Sequence, residues 1–197
     1  MEDKKTFLHS LEKIASMFNY LVWDTCALVG CLGSDANEIN FIDLMKQHLE
    51  RGGGSYVTKN VIREYTSKNY WEKKLIPLIG GQKTDIIIAK RYDLVEVFRE
   101  REKILEVGEK EEEISLRIIN LSPNFMVKYG ISAPDFEVLI YGFVIGFGRG
   151  SAAIVSNDSK LGDSFDELGN ILRGYTQTIG FITRKEKNGF EILNSYN

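Results

Sequence analysis

The run Tyr20-Leu21-Val22-Trp23-Asp24-Thr25 decides how this chain is read. Four strand-forming residues stop on a carboxylate, and Cys26-Ala27-Leu28-Val29 carries on from Thr25 with small and apolar residues. A short unbroken apolar run predicts a buried strand, most naturally in a parallel sheet. In open parallel sheets, ligands sit outside the carboxyl ends of the strands. Asp24 stands at such an end. Alone, it is explained as well by a turn or a helix N-cap. A second carboxylate at the same edge would change that reading.

Working outward, Phe7, Leu8, Leu11, Ile14, Ala15 and Phe18 recur at helical spacing, which predicts an amphipathic helix over 6–18. Residues 25–32 read as a short helix broken by Gly33. Asp35-Ala36-Asn37-Glu38 is a capping-box pattern opening a helix that carries Ile39, Ile42, Leu44, Met45 and Leu49 and stops at Gly52-Gly53-Gly54. Ser55-Tyr56-Val57-Thr58 is a second strand, with Thr58 as the N-cap of a mainly helical stretch over 59–78. Pro77 and Gly80-Gly81 end that stretch.

Residues 84–120 read as one long helical region, or as two helices with a break at Gly108. Ile88, Tyr92, Val95, Phe98 and Leu105 are expected on one face, and Glu109-Lys110-Glu111-Glu112-Glu113 on a solvated one. Ser132-Ala133-Pro134-Asp135 opens a core helix running to about Gly146, with Ser132 as cap and Asp135 at its third position. Ala152-Ala153-Ile154-Val155-Ser156 is a third buried strand and is followed at once by Asn157-Asp158. A polar segment with Asp163 and Asp166 comes next. The chain closes on strands at 178–183 and 189–193, joined by a segment with Asn188-Gly189 hairpin character. Strands alternating with helices argue for an α/β fold around a largely parallel sheet.

Composition sets the outer limits. The 197 residues suit one domain, and a 43% apolar share is enough for a sizeable core. A net charge of −3 argues against strong nucleic-acid binding by bulk charge and leaves only local basic patches for that role. Cys26 and Cys31 match neither a CxxC redox pair nor a zinc knuckle, and both are expected in the core. With no disulfide framework and no apolar leader in Met1-Glu2-Asp3-Lys4-Lys5, a cytoplasmic protein is expected. The longest apolar run, 138–147, is too short to span a bilayer, so no membrane partner is expected. Glycines 146, 148 and 150 precede a strand rather than follow one, so they do not form a dinucleotide fingerprint.

The second carboxylate is Asp158, which follows its strand as Asp24 follows the first. Glu64, in the helix after the second strand, and Asp135, in the first turn of its helix, are expected at the same edge; Asp163 is a fifth acid nearby. Clustered acids repel and raise one another's pKa, and a hard divalent cation relieves that. Mg²⁺ or Mn²⁺ takes oxygen ligands of this kind. The only histidines, His9 and His48, lie in helices remote from these positions, so acids and metal must carry any chemistry. The matching reaction is phosphodiester hydrolysis by a water that the metal makes nucleophilic.

Four segments together resemble the PIN domain, a family of metal-dependent ribonucleases. They are Leu21-Val22-Trp23-Asp24-Thr25, Val57-Thr58-Lys59-Asn60-Val61-Ile62-Arg63-Glu64, Ile131-Ser132-Ala133-Pro134-Asp135 and Ile154-Val155-Ser156-Asn157-Asp158. The separations of 40 residues from Asp24 to Glu64 and 23 from Asp135 to Asp158 are similar to the family's, whereas the 71 from Glu64 to Asp135 are long for a compact member. The resemblance implies a three-layer α/β/α sandwich over residues 1–197. To it are added an N-terminal helix (1–19), a helical insertion (84–120) and a C-terminal β-hairpin (178–194). It also implies an endonuclease for single-stranded RNA, with Asp24, Glu64, Asp135 and Asp158 catalytic and, with Asp163, holding Mg²⁺ or Mn²⁺.

Thr25, Ser156 and Asn157 are candidates to bond the acids or the phosphate. Lys59 and Arg63, and beyond them Lys68, Arg149, Lys160 and Arg184, are candidates for RNA phosphates. The competing readings are a noncatalytic scaffold using residues 84–120 as a partner surface and a structure-specific DNA nuclease. A homodimer, or a protein partner or inhibitor, belongs to the same set of expectations.

Overall fold

A computed structural model describes residues 2–30, 41–75, 84–106, 108–121, 124–172, 178–185 and 189–196. The sheet is built from β1 (Tyr20–Trp23), β2 (Ser55–Thr58), β3 (Ile104–Leu105), β4 (Ala152–Val155), β5 (Ile179–Lys185) and β6 (Gly189–Tyr196), in the order β3-β2-β1-β4-β5-β6. The pairs from β3 through β5 are parallel, and β6 runs antiparallel to β5. The helices are α1 (Glu2–Met17), α2 (Thr25–Gly30), α3 (Phe41–Glu50), α4 (Lys59–Thr66) and α5 (Lys68–Tyr70). A π-turn follows at Trp71–Leu75, and then come α6 (Thr84–Glu100), α7 (Glu109–Leu121), α8 (Phe125–Tyr129), α9 (Ala133–Gly148) and α10 (Ser159–Ile171). The result is the expected α/β fold, a three-layer α/β/α arrangement around a mostly parallel sheet.

Strand pleat explains the two faces. Successive side chains of a strand point to opposite sides, so Trp23 and Val22 serve different layers. Trp23 meets Phe41 of α3 and Phe190 of β6, and Phe7 of α1 packs edge-on against Phe41 with ring centroids 5.3 Å apart. On the other face, Val22 is level with Ile154, and Ile154 with Phe181. Phe181 meets Phe165 of α10, which meets Phe143 of α9. The central helix α9 packs across β1, β2, β4 and β5. Its approach to the sheet needs a missing side chain: a Cβ at Gly142 would lie 2.4 Å from Ile154 Cγ1. Burying rings and branched side chains of this size contributes roughly 1.5–3 kcal/mol each.

The structure departs from the sequence expectations in several places. Residues 84–120 hold two helices, α6 and α7, but β3 lies between them and extends the sheet beyond β2. Leu105 is therefore a strand residue, and Tyr92 is largely exposed while Val95 and Phe98 are buried. Ile88 falls where side chains are outside the described set. The stretch after Asp158, read only as a polar segment, is the helix α10, on one face of which Leu161, Phe165 and Leu168 recur and are buried. The helix over 59–78 is interrupted at Ser67, and its expected end at Pro77 and Gly80-Gly81 lies outside the described residues, as do the capping box at 35–38 and Asn188. The N-terminal helix packs on the core as its apolar spacing predicts, and the C-terminal strands join the sheet. Phe7, Leu11, Ile14 and Phe18 are buried, α1 packs on β6, and β5 pairs with β4.

Candidate functional site

Strand order places the site. β1 leads by α-helical crossovers to β2 and β3 on one side, and β4 and β5 lie on the other, so connections diverge between β1 and β4. Crevices at such switch points, outside the carboxyl ends of the strands, are where open α/β sheets bind ligands. Trp23 is level with Val57, Val155 is level with Trp23, and Ile182 with Val155. The residues one step further on, Thr58, Asp24, Ser156 and Thr183, therefore form a row along one edge. The Asp24 N–H donates to the Val155 carbonyl at 3.0 Å, and the Ser156 N–H to the Ile182 carbonyl at 3.0 Å, which extends the ladder to this row.

Asp24 is 2% exposed. Its Oδ2 accepts from the Ser156 hydroxyl at 2.7 Å and from the Cys26 thiol at 2.7 Å. Burial raises its pKa to about 6 against these bonds, and the negative charge of Asp135 pushes it the same way. Glu64 lies alongside: the Thr25 hydroxyl donates to its Oε2 at 2.6 Å. Val61 and Tyr65, on the inner face of α4, are fully buried, and Glu64 is half-buried at the rim of that face. α4 begins where expected, with Thr58 Oγ1 accepting from the Val61 N–H at 3.2 Å.

Asp135 and Asp158 reach the same edge with a structural duty already in hand. Asp135 Oδ2 accepts from the Ser132 N–H at 2.8 Å and hydroxyl at 2.7 Å, completing the capping box of α9. Asp158 is the N-cap of α10, its Oδ1 accepting from the Lys160 N–H at 2.8 Å. The Asp158 N–H in turn donates to Ser156 Oγ at 3.0 Å, which ties it to Asp24 through one hydroxyl. Asp163 is exposed, in the second turn of α10. It lines a groove of about 340 Å³ that runs from Ser156–Asp158 past Gly162 and Phe181 to Asn194. The Asn157 side chain accepts from the Thr183 hydroxyl at 3.2 Å on the near wall of that groove.

Lys59 and Lys160 stand in the first turns of the helices that start at this edge. Lys59 is exposed and pairs with Glu106 at 2.9 Å, and Arg63 donates to Asn60 Oδ1 at 3.2 Å. Lys68 pairs with Glu72 at 3.5 Å; Lys160 and Arg149 are exposed, and the Arg184 side chain lies outside the described set. The histidines are remote from the acids, as expected. His9 is exposed. His48 is buried against Ser55 Oγ at 3.0 Å, near the opposite end of β2, with its pKa lowered by burial to about 4.

Two residues of the site escape a sequence reading. Cys26, expected in the core, is half-buried with its thiol on Asp24, and Cys31 lies outside the described residues. Tyr70 is half-buried beside the acids. Burial, then the negative charge of Glu64 with Asp24 and Asp135 behind it, push its phenol up and keep it protonated. The available signal for Cys26 was its place in the first turn after Asp24. For Tyr70 it was an aromatic one helix turn past the end of α4.

The donor chemistry fits a hard divalent cation. Every ligand on offer is a carboxylate oxygen, and the bonds that fix Glu64, Asp135 and Asp158 use Oε2, Oδ2 and Oδ1 and leave the partner oxygens outside them. The raised pKa of Asp24 reflects a carboxylate held away from water, with the charge of Asp135 acting in the same direction. Among the described residues, no three His, Cys, Asp or Glu side chains stand together in metal-holding geometry. A cation here would be held by one or two direct carboxylates with water completing its shell, as Mg²⁺ commonly is. Compared with protein-family models, curated proteins and solved structures, the chain matches none.

Proposed function

We propose that the protein is a metal-dependent endoribonuclease of the PIN-like kind, hydrolysing phosphodiester bonds of single-stranded RNA at the β1/β4 crevice. The observation that carries this is Asp24: an ionisable carboxylate fixed by two donors, buried at the switch point, with Asp135 close enough to raise its pKa. Isolated buried carboxylates are disfavoured, so a chain that keeps one at a ligand-binding edge has a use for the charge. Asp24 and Glu64 would hold Mg²⁺ or Mn²⁺, with Asp135 and Asp158 reaching it directly or through water. When bound, the cation supplies charge stabilisation for the phosphate and the departing oxygen and lowers the pKa of a water.

The chain's own residues do the remaining work. Ser156 fixes the Asp24 oxygen, and Thr25 fixes the Glu64 oxygen. Tyr70, kept protonated, is a hydrogen-bond donor at the edge of the acids. Exposed Lys59, Arg63 and Lys160 lie on the helices that start at this edge and offer charge to the RNA backbone.

One observation favours a second reading. Asp135 and Asp158 are both committed to helix caps, and no three ligands are clasped together among the described residues. A noncatalytic domain of the same fold would show this arrangement. Incubation of the purified protein with single-stranded RNA and Mn²⁺ separates the two. The nuclease reading expects cleavage that EDTA stops and that branched DNA does not compete away. Intact RNA, or cleavage indifferent to EDTA, rules it out. A cytoplasmic location and a homodimer or inhibitor partner remain part of the proposal; among the described residues no helix is long and apolar enough to cross a membrane.

A further inference from the structure

The geometry points to Cys26 as a positioning residue that latches the turn after β1 to the loop after β4 and so sets where Asp158 stands relative to Asp24. Three contacts converge on its sulfur. The thiol donates to Asp24 Oδ2 at 2.7 Å, the Asn157 N–H donates to Sγ at 3.1 Å, and Ser156 Oγ lies 3.1 Å away. Asp24 and Cys26 belong to the β1–α2 junction, and Ser156 and Asn157 to the β4–α10 junction. With both the thiol and the hydroxyl turned to Asp24, the Ser156 oxygen is left to accept from the Asp158 N–H at 3.0 Å. The path from the Asp24 carboxylate to the Asp158 backbone thus runs through Ser156, and Cys26 braces its Asp24 end, Ser156 itself and the Asn157 amide next to Asp158.

Other side chains would not serve equally. An alanine removes one of two side-chain donors from a buried carboxylate and takes the Sγ acceptor away from the Asn157 N–H. A serine keeps donor and acceptor in nearly the same place. Thiol reactivity is not part of this role: burial first, then the charge of Asp24, push the Cys26 thiol up and hold it protonated. The inference deepens the proposed metal site and rests on it for its effect on catalysis, but the latch has a consequence of its own in the Asn157 amide.

The test compares wild type, Cys26→Ala and Cys26→Ser in two measurements. Hydrogen exchange at the Asn157 amide should be about fivefold faster in Cys26→Ala and near wild type in Cys26→Ser. Mn²⁺ affinity, followed by electron paramagnetic resonance of the free ion, should weaken about 10-fold in Cys26→Ala. The serine variant should recover it, as expected for a group that orients a ligand. A general loss of folding would not be rescued by serine in both measurements, and it would appear as lower thermal stability. Equal Mn²⁺ affinity in wild type and Cys26→Ala overturns the positioning role, as does unchanged Asn157 exchange. If wild type binds no Mn²⁺, the metal site itself fails. Faster exchange then leaves Cys26 a structural brace, and its positioning role is overturned with the site.

Discussion

The Asp24 carboxylate and the Ser156 hydroxyl meet at 2.7 Å across the crevice between β1 and β4. One comes from the strand that opens the sheet, the other from a strand more than a hundred residues later. The register that puts Trp23 level with Val155 puts these two one step beyond the sheet's last paired row. The bond is therefore a product of strand order, and it centres the candidate site on a buried charge.

That charge should weaken the fold at neutral pH. The folded-state pKa of Asp24 is raised from 3.8 to about 6, so between those values the folded state binds the proton more tightly than the unfolded chain. Stability from this group is full below the unfolded value and is lost as pH rises through about 6. Asp24→Asn has no charge to bury. It should match wild type near pH 4 and exceed it at pH 8 by about 1–3 kcal/mol. Urea denaturation at the two pH values checks this, and a gap that narrows as pH rises contradicts it.

Divalent cations should reverse the penalty. At pH 7.5, Mn²⁺ at about 100 times its Kd should stabilise wild type by about 2.7 kcal/mol, with Mg²⁺ acting in the same direction. EDTA should return the melting temperature to its starting value. Asp24→Asn should lose most of the shift. Thermal melts with and without the ions decide it, and equal shifts in both proteins place the ions elsewhere.

Ser156 should be structural as well as functional. It is fully buried and holds both the Asp24 carboxylate and the Asp158 N–H. Ser156→Ala leaves two buried groups short of a partner and should cost about 1–3 kcal/mol. The loss should shrink in an Asp24→Asn background, where no charge needs the hydroxyl. A double-mutant cycle in urea measures that coupling.

The close approach of α9 to the sheet gives a check on the register itself. Gly142→Ala places a methyl against Ile154 Cγ1 and should destabilise by about 1–3 kcal/mol. In an Ile154→Ala background the same change should cost less than about 1 kcal/mol, because the obstructing atoms are gone. Equal losses in both backgrounds would mean that Gly142 faces another side chain.

Much of this was legible in the chain because buried parallel strands write themselves plainly. Tyr20–Trp23 and Ala152–Val155 are unbroken apolar runs ending before an acid, and both proved central. Thr58 and Ser132 cap their helices as their spacing predicts, since capping is a local matter. β3 was not legible. A two-residue strand shows no periodicity, and Ile104 and Leu105 continue a helical pattern on paper. α10 was hidden by Gly162, Asp163 and Asp166, which dilute the apolar spacing of Leu161, Phe165 and Leu168. Within the site, the acids follow from strand ends. The cap of Asp135 is local and follows from its spacing to Ser132, whereas the role of Cys26 as a brace depends on contacts between segments far apart in sequence. Asp163, five residues past Asp158, lines the same groove as Asp158.

The most direct test is the rate at which Asp24→Asn cleaves single-stranded RNA in saturating Mn²⁺ at pH 7.5, relative to wild type. The substitution should stabilise the fold, so lost activity cannot be put down to unfolding. The account predicts cleavage slower by about 10²-fold or more, equivalent to about 2.7 kcal/mol or more of transition-state stabilisation. Wild-type rates in the Asp24→Asn protein would contradict it.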